Sequence, residues 1–261
     1  MISLVQLLKE IQNKPHAIFL AGSAGGGKSS TYKVDPEIPT QLDNLLPSSL
    51  TVINSDDTYE EMLKASGLGM KQKDFTPDQL SQAAKMQAQA RKTTQDKLSQ
   101  SIKNMQDIVI DGTGAATNPV LKKKQELEAL GYTTLMLMIY VSPLTSLKRN
   151  AERDRSLMPG IVLRTWRDVN RNIDTYAREF GDNFILINND PKDANKSFST
   201  ALLEPYLLDQ TATGKPKTPE EQAKSDADKA QLNRDIEQMV KTLPKFDTLD
   251  SAKQKINTFM S

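Results

Sequence analysis

The chain has 261 residues, enough for one domain of ordinary size plus an extension, and its 37% hydrophobic content can build a normal core. With 34 Lys and Arg against 33 Asp and Glu the formal net charge is +1, which argues against a strongly basic nucleic-acid binder. The absence of cysteine excludes disulfides and thiolate catalysis, and a single histidine, His16, argues against a tetrahedral zinc site.

In chain order, Leu4, Leu7, Leu8 and Ile11 are spaced as one face of an amphipathic helix, not run together as in a signal peptide. No window approaches a membrane span, so the expected location is cytoplasmic. His16 is expected at the surface, just before a strand. Short apolar runs at Ala17–Leu20, Leu50–Ile53, Ile108–Ile110, Leu135–Val141 and Phe184–Ile187 show little alternation, as strands do when both faces of a parallel sheet are covered. Between them, residues 77–105, 118–130, 143–155 and 162–180 read as helices. Thr76 and Pro77 form an N-cap and N1 pair, and Gly131 a C-terminal stop. The alternation predicts an α/β three-layer fold with a mainly parallel five-stranded sheet. Beyond residue 208 the chain turns polar and reads as a linker. A helix follows, opened by a capping box at Thr218-Pro219-Glu220-Glu221, with Leu232, Ile236, Met239, Val240 and Leu243 at helical spacing. A last helix carries Leu249, Ala252, Ile256 and Phe259. The expected division is 1–208 as the main α/β domain and 209–261 as linker and helical extension, docked on the core or offered to a protein partner.

Gly22-Ser23-Ala24-Gly25-Gly26-Gly27-Lys28-Ser29 matches the phosphate-binding P-loop, G-x-x-x-x-G-K-[ST]. Such a loop must turn successive backbone N–H groups inward, through positions where a Cβ would intrude. The helix expected to follow, starting near Ser29 and Ser30, offers free N–H groups and a positive dipole end to an anion. Lys28 is expected on the β- and γ-phosphates and the Ser29 hydroxyl on Mg²⁺. ATP is the expected nucleotide, with GTP left open.

In open parallel sheets ligands sit beyond the carboxyl ends of the strands. The second strand ends in Asn54-Ser55-Asp56-Asp57 and the third in Asp111-Gly112-Thr113. Asp56, Asp57 and Asp111 therefore belong near the phosphates, where one carboxylate can serve Mg²⁺ and another can accept a hydroxyl proton, and Asp57, Asp111 and Thr113 are the expected substrate contacts. Arg149, Arg153, Arg155 and Arg164 follow the fourth strand. With Met158-Pro159-Gly160 breaking the helix, residues 149–164 read as a lid bringing cations to the transferring phosphoryl group. Asn188 and Asn189 after the fifth strand either read the base edge or form a turn. Trp166 is expected in the core.

Together the P-loop, "INSDD" and "DIVIDGTGAAT…ELEALGYTTLMLMIYVSPLTSL" resemble the zeta-toxin family of P-loop kinases, which is related to phage polynucleotide kinase; the likeness runs over about residues 15–190. The resemblance implies that Asp56 is the general base, with Asp57 its neighbour, and that Asp111 stands where the family has a glutamate. It matches Arg153 to the family's helical arginine and leaves Arg155 or Arg164 for the second one. It implies ATP-dependent phosphoryl transfer to a hydroxyl acceptor of the nucleotide-sugar kind or another small phosphorylated molecule. Lys71, Lys73, Arg91 and Lys92, in a segment 58–105 expected to wall the acceptor side, point to an anionic acceptor. The alternatives are a polynucleotide 5′-hydroxyl kinase, which the even charge balance does not favour, and a nucleotide-dependent switch acting through the C-terminal helices.

Overall fold

The structure is a computed structural model describing residues 14–33, 40–70, 75–153, 155–191 and 219–261. The amphipathic N-terminal segment, Lys71, Lys73, the linker and Thr218 of the capping box lie outside the described residues.

Five parallel strands form one sheet: β1 (His16–Ala21), β2 (Thr51–Ile53), β3 (Ile108–Asp111), β4 (Thr133–Tyr140) and β5 (Phe184–Asn188), in the order β2-β3-β1-β4-β5. The central strands are apolar throughout because both faces are covered; Ala17 to Ala21 are all buried. One face meets α2 (Pro77–Lys103), α3 (Thr117–Ala129), α4 (Pro143–Glu152), α5 (Pro159–Arg171), α6 (Ile173–Phe180) and α7 (Pro219–Lys241). The other meets Leu42, Leu45, Leu46 and Leu50 of an irregular segment, and Ala252 and Ile256 of α8 (Leu249–Met260). Both C-terminal helices thus lay their apolar residues on the core, α7 with Leu232 and Ile236 on the first face.

Several expectations need correction. The P-loop is followed by a single 3-10 turn, Ser29–Thr31, tightened by the Thr31 hydroxyl on the Lys28 carbonyl at 2.7 Å, and not by an α-helix among the described residues. The 58–105 wall contains a helix that starts earlier, α1 (Ser55–Ser66), capped by Asn54 and stopped by Gly67 in the left-handed region at φ +72°. Helix 162–180 is two helices. Pro159 opens the first, and Asn172 ends it by turning its amide onto the Gly114 and Ala115 carbonyls at 3.0 and 2.9 Å. Helix 143–155 stops at Glu152, with Arg153 already extended. His16 opens β1 instead of preceding it and is half-buried: its side chain is 15% exposed, 3.1 Å from Asp107 and edge-on to Phe259. Trp166 is fully buried and donates to the Val141 carbonyl at 2.6 Å.

Candidate active site

The P-loop leaves β1 at the middle of the sheet, and its shape is held from three sides. Gly22 N–H donates to the Thr113 carbonyl beyond β3 at 3.0 Å. The Ser146 hydroxyl on α4 donates to the Ala24 carbonyl at 2.6 Å and is hydrogen-bonded to the buried Ser23 hydroxyl at 3.2 Å. Arg149 donates to the Gly25 carbonyl at 3.2 Å and to the Asn189 carbonyl at 3.0 Å. Two glycines are required by this packing. A Cβ on Gly25, at φ +71°, would lie 2.9 Å from the Ser146 carbonyl; one on Gly27, at φ +91°, would lie 2.5 Å from Asn189 Nδ2.

Lys28 curls back onto its own loop, donating to the Gly22 carbonyl at 2.8 Å and the Ser23 carbonyl at 3.3 Å. Burial pushes its ammonium below the ordinary lysine range, with Asp111 pulling it up, Arg153 adding to the depression and Asp56 opposing. Asp111 ends β3, Asp56 follows β2 by three residues, and Arg153 follows α4. Ser29 is exposed and Ser30 half-buried at the loop's exit, and the Gly26 N–H closes the loop onto the Ser23 carbonyl at 3.1 Å.

Asp56 and Asp57 lie in the first turn of α1, where the helix dipole favours negative charge. Asp57 pairs with Lys33 at 2.8 Å. Asp56 is 60% exposed and pairs with Arg155 at 3.2 Å. Asp111 is more enclosed. Its Oδ2 accepts from the Tyr32 hydroxyl at 2.6 Å and from Asn54 at 3.1 Å. Burial pushes this carboxyl up from the usual carboxylate range, against the pull of Lys28 and of the Tyr32 hydrogen bond. Thr113 is exposed, its hydroxyl accepting from Ala115 N–H at 3.3 Å.

The arginines separate by role. Arg153 is exposed at the end of α4. Arg155 is 9% exposed, held by Asp56 and by Glu60 at 2.9 Å, and lies over the Tyr59 ring. Burial lowers its proton affinity, but the two carboxylates outweigh that and raise it. Arg164 sits on the exposed side of α5, without an ion pair among the described residues. Asp154, inside the expected lid, lies outside the described residues. Asn188 turns its Oδ1 onto Asp190 N–H at 2.9 Å, a local turn. The buried Asn189 donates to the Gly26 carbonyl at 2.9 Å, so it braces the P-loop. Arg149 as a loop brace, Tyr32, Asn54 and Glu60 were not legible as site residues, and Asn189, expected to read the base edge or form a turn, braces the loop instead. Only the place of Asn54 two residues before Asp56 hinted at one of the missed four.

The zeta toxin family model matches residues 5–186. The chain belongs to the zeta toxin family. Among solved structures, this zeta toxin family member is similar to the PezAT chromosomal toxin–antitoxin system of Streptococcus pneumoniae, with 17% identity over 90% of this chain and 94% of that one and a TM-score of 0.45. It is also similar to the AvrRxo1-ORF1:AvrRxo1-ORF2 complex with sulphate ions, with 12% identity over 99% and 84% of the two chains and a TM-score of 0.51. The same complex with ATP matches at 13% identity over 99% and 84%, with a TM-score of 0.49. None of the curated proteins matches the chain. At these identities the structural likeness shows the fold, and the family supports a nucleotide-dependent phosphotransferase. No described helix is long and apolar enough to cross a membrane.

Proposed function

We propose that the chain is a kinase that moves the γ-phosphate of ATP to the hydroxyl of a small anionic acceptor, nucleotide sugars being the class the family resemblance implies. The observation that carries this reading is the braced P-loop leaving β1 with Lys28 folded onto its carbonyls, tied by Gly22 to Thr113 just beyond Asp111 at the carboxyl edge of the sheet. On binding, Lys28 exchanges the Gly22 and Ser23 carbonyls for phosphate oxygens. The acceptor oxygen forms its bond to the γ-phosphorus as the bond to the ADP oxygen breaks, and its proton passes to Asp56. Arg153 and Arg155 offset the charge on the equatorial oxygens.

Mg²⁺, when bound, neutralises phosphate charge. The Ser29 hydroxyl and Asp111 would hold it. Asp111 fits because its Oδ1 has no hydrogen-bond donor among the described residues, while Oδ2 is fixed by Tyr32 and Asn54. The described residues hold no cluster of three ligating side chains, which suits an ion carried largely by phosphate and water.

A cavity of about 350 Å³ lies beside Ser55 and Asp111, walled by Phe19, Ile53, Leu98, Ile110 and Val120 and rimmed by Arg91 and Lys123. That volume suits a small ligand. Its lining includes Thr94, whose hydroxyl is buried without a hydrogen bond among the described residues. The cations and the spare hydroxyl support an anionic acceptor. The lid (149–164), the base contact of Asn188, and the acceptor contacts of Asp57 and Thr113 belong to the same proposal. A protein partner at α7 and α8 would have to use their outer faces, since Leu232, Ile236, Ala252 and Ile256 are covered by the core.

The test is transfer from γ-labelled ATP or GTP with Mg²⁺ to a panel of nucleotide sugars, nucleosides, nucleotides and 5′-hydroxyl oligonucleotides. Transfer to one class should fall by about 10²-fold or more in both Asp56→Asn and Lys28→Ala. Nucleotide binding without transfer to any acceptor would overturn the kinase reading.

A further inference from the structure

Arg155 stands between two carboxylates on one face of α1, Asp56 and Glu60, four residues apart. The two ties differ. Nε donates to Glu60 at 2.9 Å, and Glu60 is 28% exposed; Nη2 meets Asp56 at 3.2 Å, and Asp56 is 60% exposed. The shorter tie is better shielded from water, and it engages the guanidinium nitrogen nearest the stem, which sets the plane of the group. The ring of Tyr59, itself buried, lies 5.7 Å from the guanidinium carbon. Nη1 has no partner among the described residues. The tie to Asp56 uses Oδ1 alone, and an ionised carboxylate accepts at its second oxygen as well, so Asp56 can serve as base with or without Nη2 beside it. Nη2 has the longer, more exposed tie and is the nitrogen free to turn to another anion.

We infer that Glu60 is the positioning residue for Arg155: it keeps the guanidinium in the site by Nε while Nη2 moves from Asp56 to a phosphate oxygen, which delivers the cation. This role rests on the kinase reading. Glu60 itself touches neither nucleotide nor acceptor.

The experiment has two arms, on the full chain and on Glu60→Gln, Glu60→Ala, Arg155→Ala and the Glu60→Ala/Arg155→Ala pair. Glu60→Gln keeps the shape and an acceptor oxygen, so it folds if the helix surface tolerates the lost charge. The first arm needs no chemistry: tryptic cleavage after Arg155 in the nucleotide-free protein, read by mass spectrometry. Cleavage should be about 10-fold faster in Glu60→Ala than in the unsubstituted chain, with Glu60→Gln between them. In the second arm, kcat should fall about 10–100-fold in Glu60→Ala with KM for ATP within about 3-fold, and the pair should be no worse than Arg155→Ala alone. Glu60→Gln should recover part of kcat. Unchanged cleavage, unchanged kcat with faster cleavage, or losses that multiply in the pair would each overturn the inference. If the unsubstituted chain transfers no phosphate, the kinase reading falls by itself, and the cleavage arm still decides whether Glu60 holds Arg155.

Discussion

Gly27 and Asn189 meet at the tightest point of the phosphate loop. The amide of Asn189 fills the space where a Gly27 side chain would begin, 2.5 Å from its Cβ position, and donates to the next carbonyl back, Gly26. Gly27→Ala must both displace that amide and hold a left-handed φ, which costs about 1–2 kcal/mol for a residue with a Cβ. A loss of at least about 10-fold in ATP affinity is expected by titration calorimetry, with a lower Tm. Asn189→Ala should weaken ATP by a similar factor while leaving Gly27 unstrained, because it removes the brace but not the shape. The motif spelled out the glycines and Lys28 as phosphate ligands. It could not show Asn189 or Arg149, which reach the loop from 163 and 124 residues away in the chain. Tyr32 and Asn54 escaped for the same reason: their partner Asp111 is 79 and 57 residues distant.

The strands were legible from their unbroken apolar runs, because burial on both faces leaves one composition to choose from. Helices were legible where an apolar stripe persisted. α1 was not, since Tyr59 and Leu63 are its only fully buried residues and four acidic or polar positions open it. The break at Asn172 was hidden because its cause is a pair of carbonyls beyond β3. α3 shows how one side chain can offset an unfavourable placement. Glu128 lies in its last turn, where the dipole disfavours an anion. Partial burial also opposes its charge, but Lys124 at 2.8 Å and the Thr134 hydroxyl at 2.6 Å outweigh both and hold the carboxyl below the usual range. A depressed carboxyl stabilises the fold above its unfolded pKa, and that stability disappears as pH falls through the folded value. Glu128→Gln should therefore lower Tm at pH 7. The difference, at most about 1 kcal/mol once solvent screening of this 39%-exposed group is counted, should shrink to nothing as acid protonates the unsubstituted chain. Thermal melts across pH 3–7, with a ~4.3 unfolded reference, decide it.

At the scale of the molecule, α8 covers one face of the sheet beside β5 while α7 packs outside the other, on α5. α7 is tied to α5 by Arg167 and Arg171 on Asp235, and by Leu232 and Ile236 in the core. The apolar seam dominates. Arg171 is 54% exposed, and such surface pairs contribute about 0–1 kcal/mol, whereas emptying a fully buried isoleucine site costs about 2–5 kcal/mol. Denaturant melts should show Ile236→Ala destabilised by that larger amount and Arg171→Ala close to the unsubstituted chain. The helical spacing of these residues announced an apolar face; which surface it would cover depended on the completed sheet.

Asp247 sits just before α8. Its N–H donates to the Leu186 carbonyl at 2.7 Å, and its carboxylate accepts the Leu186 N–H at 3.0 Å; Lys255 Nζ reaches the Phe184 carbonyl. Asp247 and the Lys255 side chain therefore occupy the Phe184 carbonyl and both Leu186 groups, and Gln41 meets the Asn188 carbonyl, where a foreign strand would otherwise find its register. The opposite margin, β2, offers only three residues. A sheet with one margin stoppered and the other too short to template addition resists growth by strand pairing, so this chain is protected from edge-to-edge aggregation at high concentration as long as α8 stays seated.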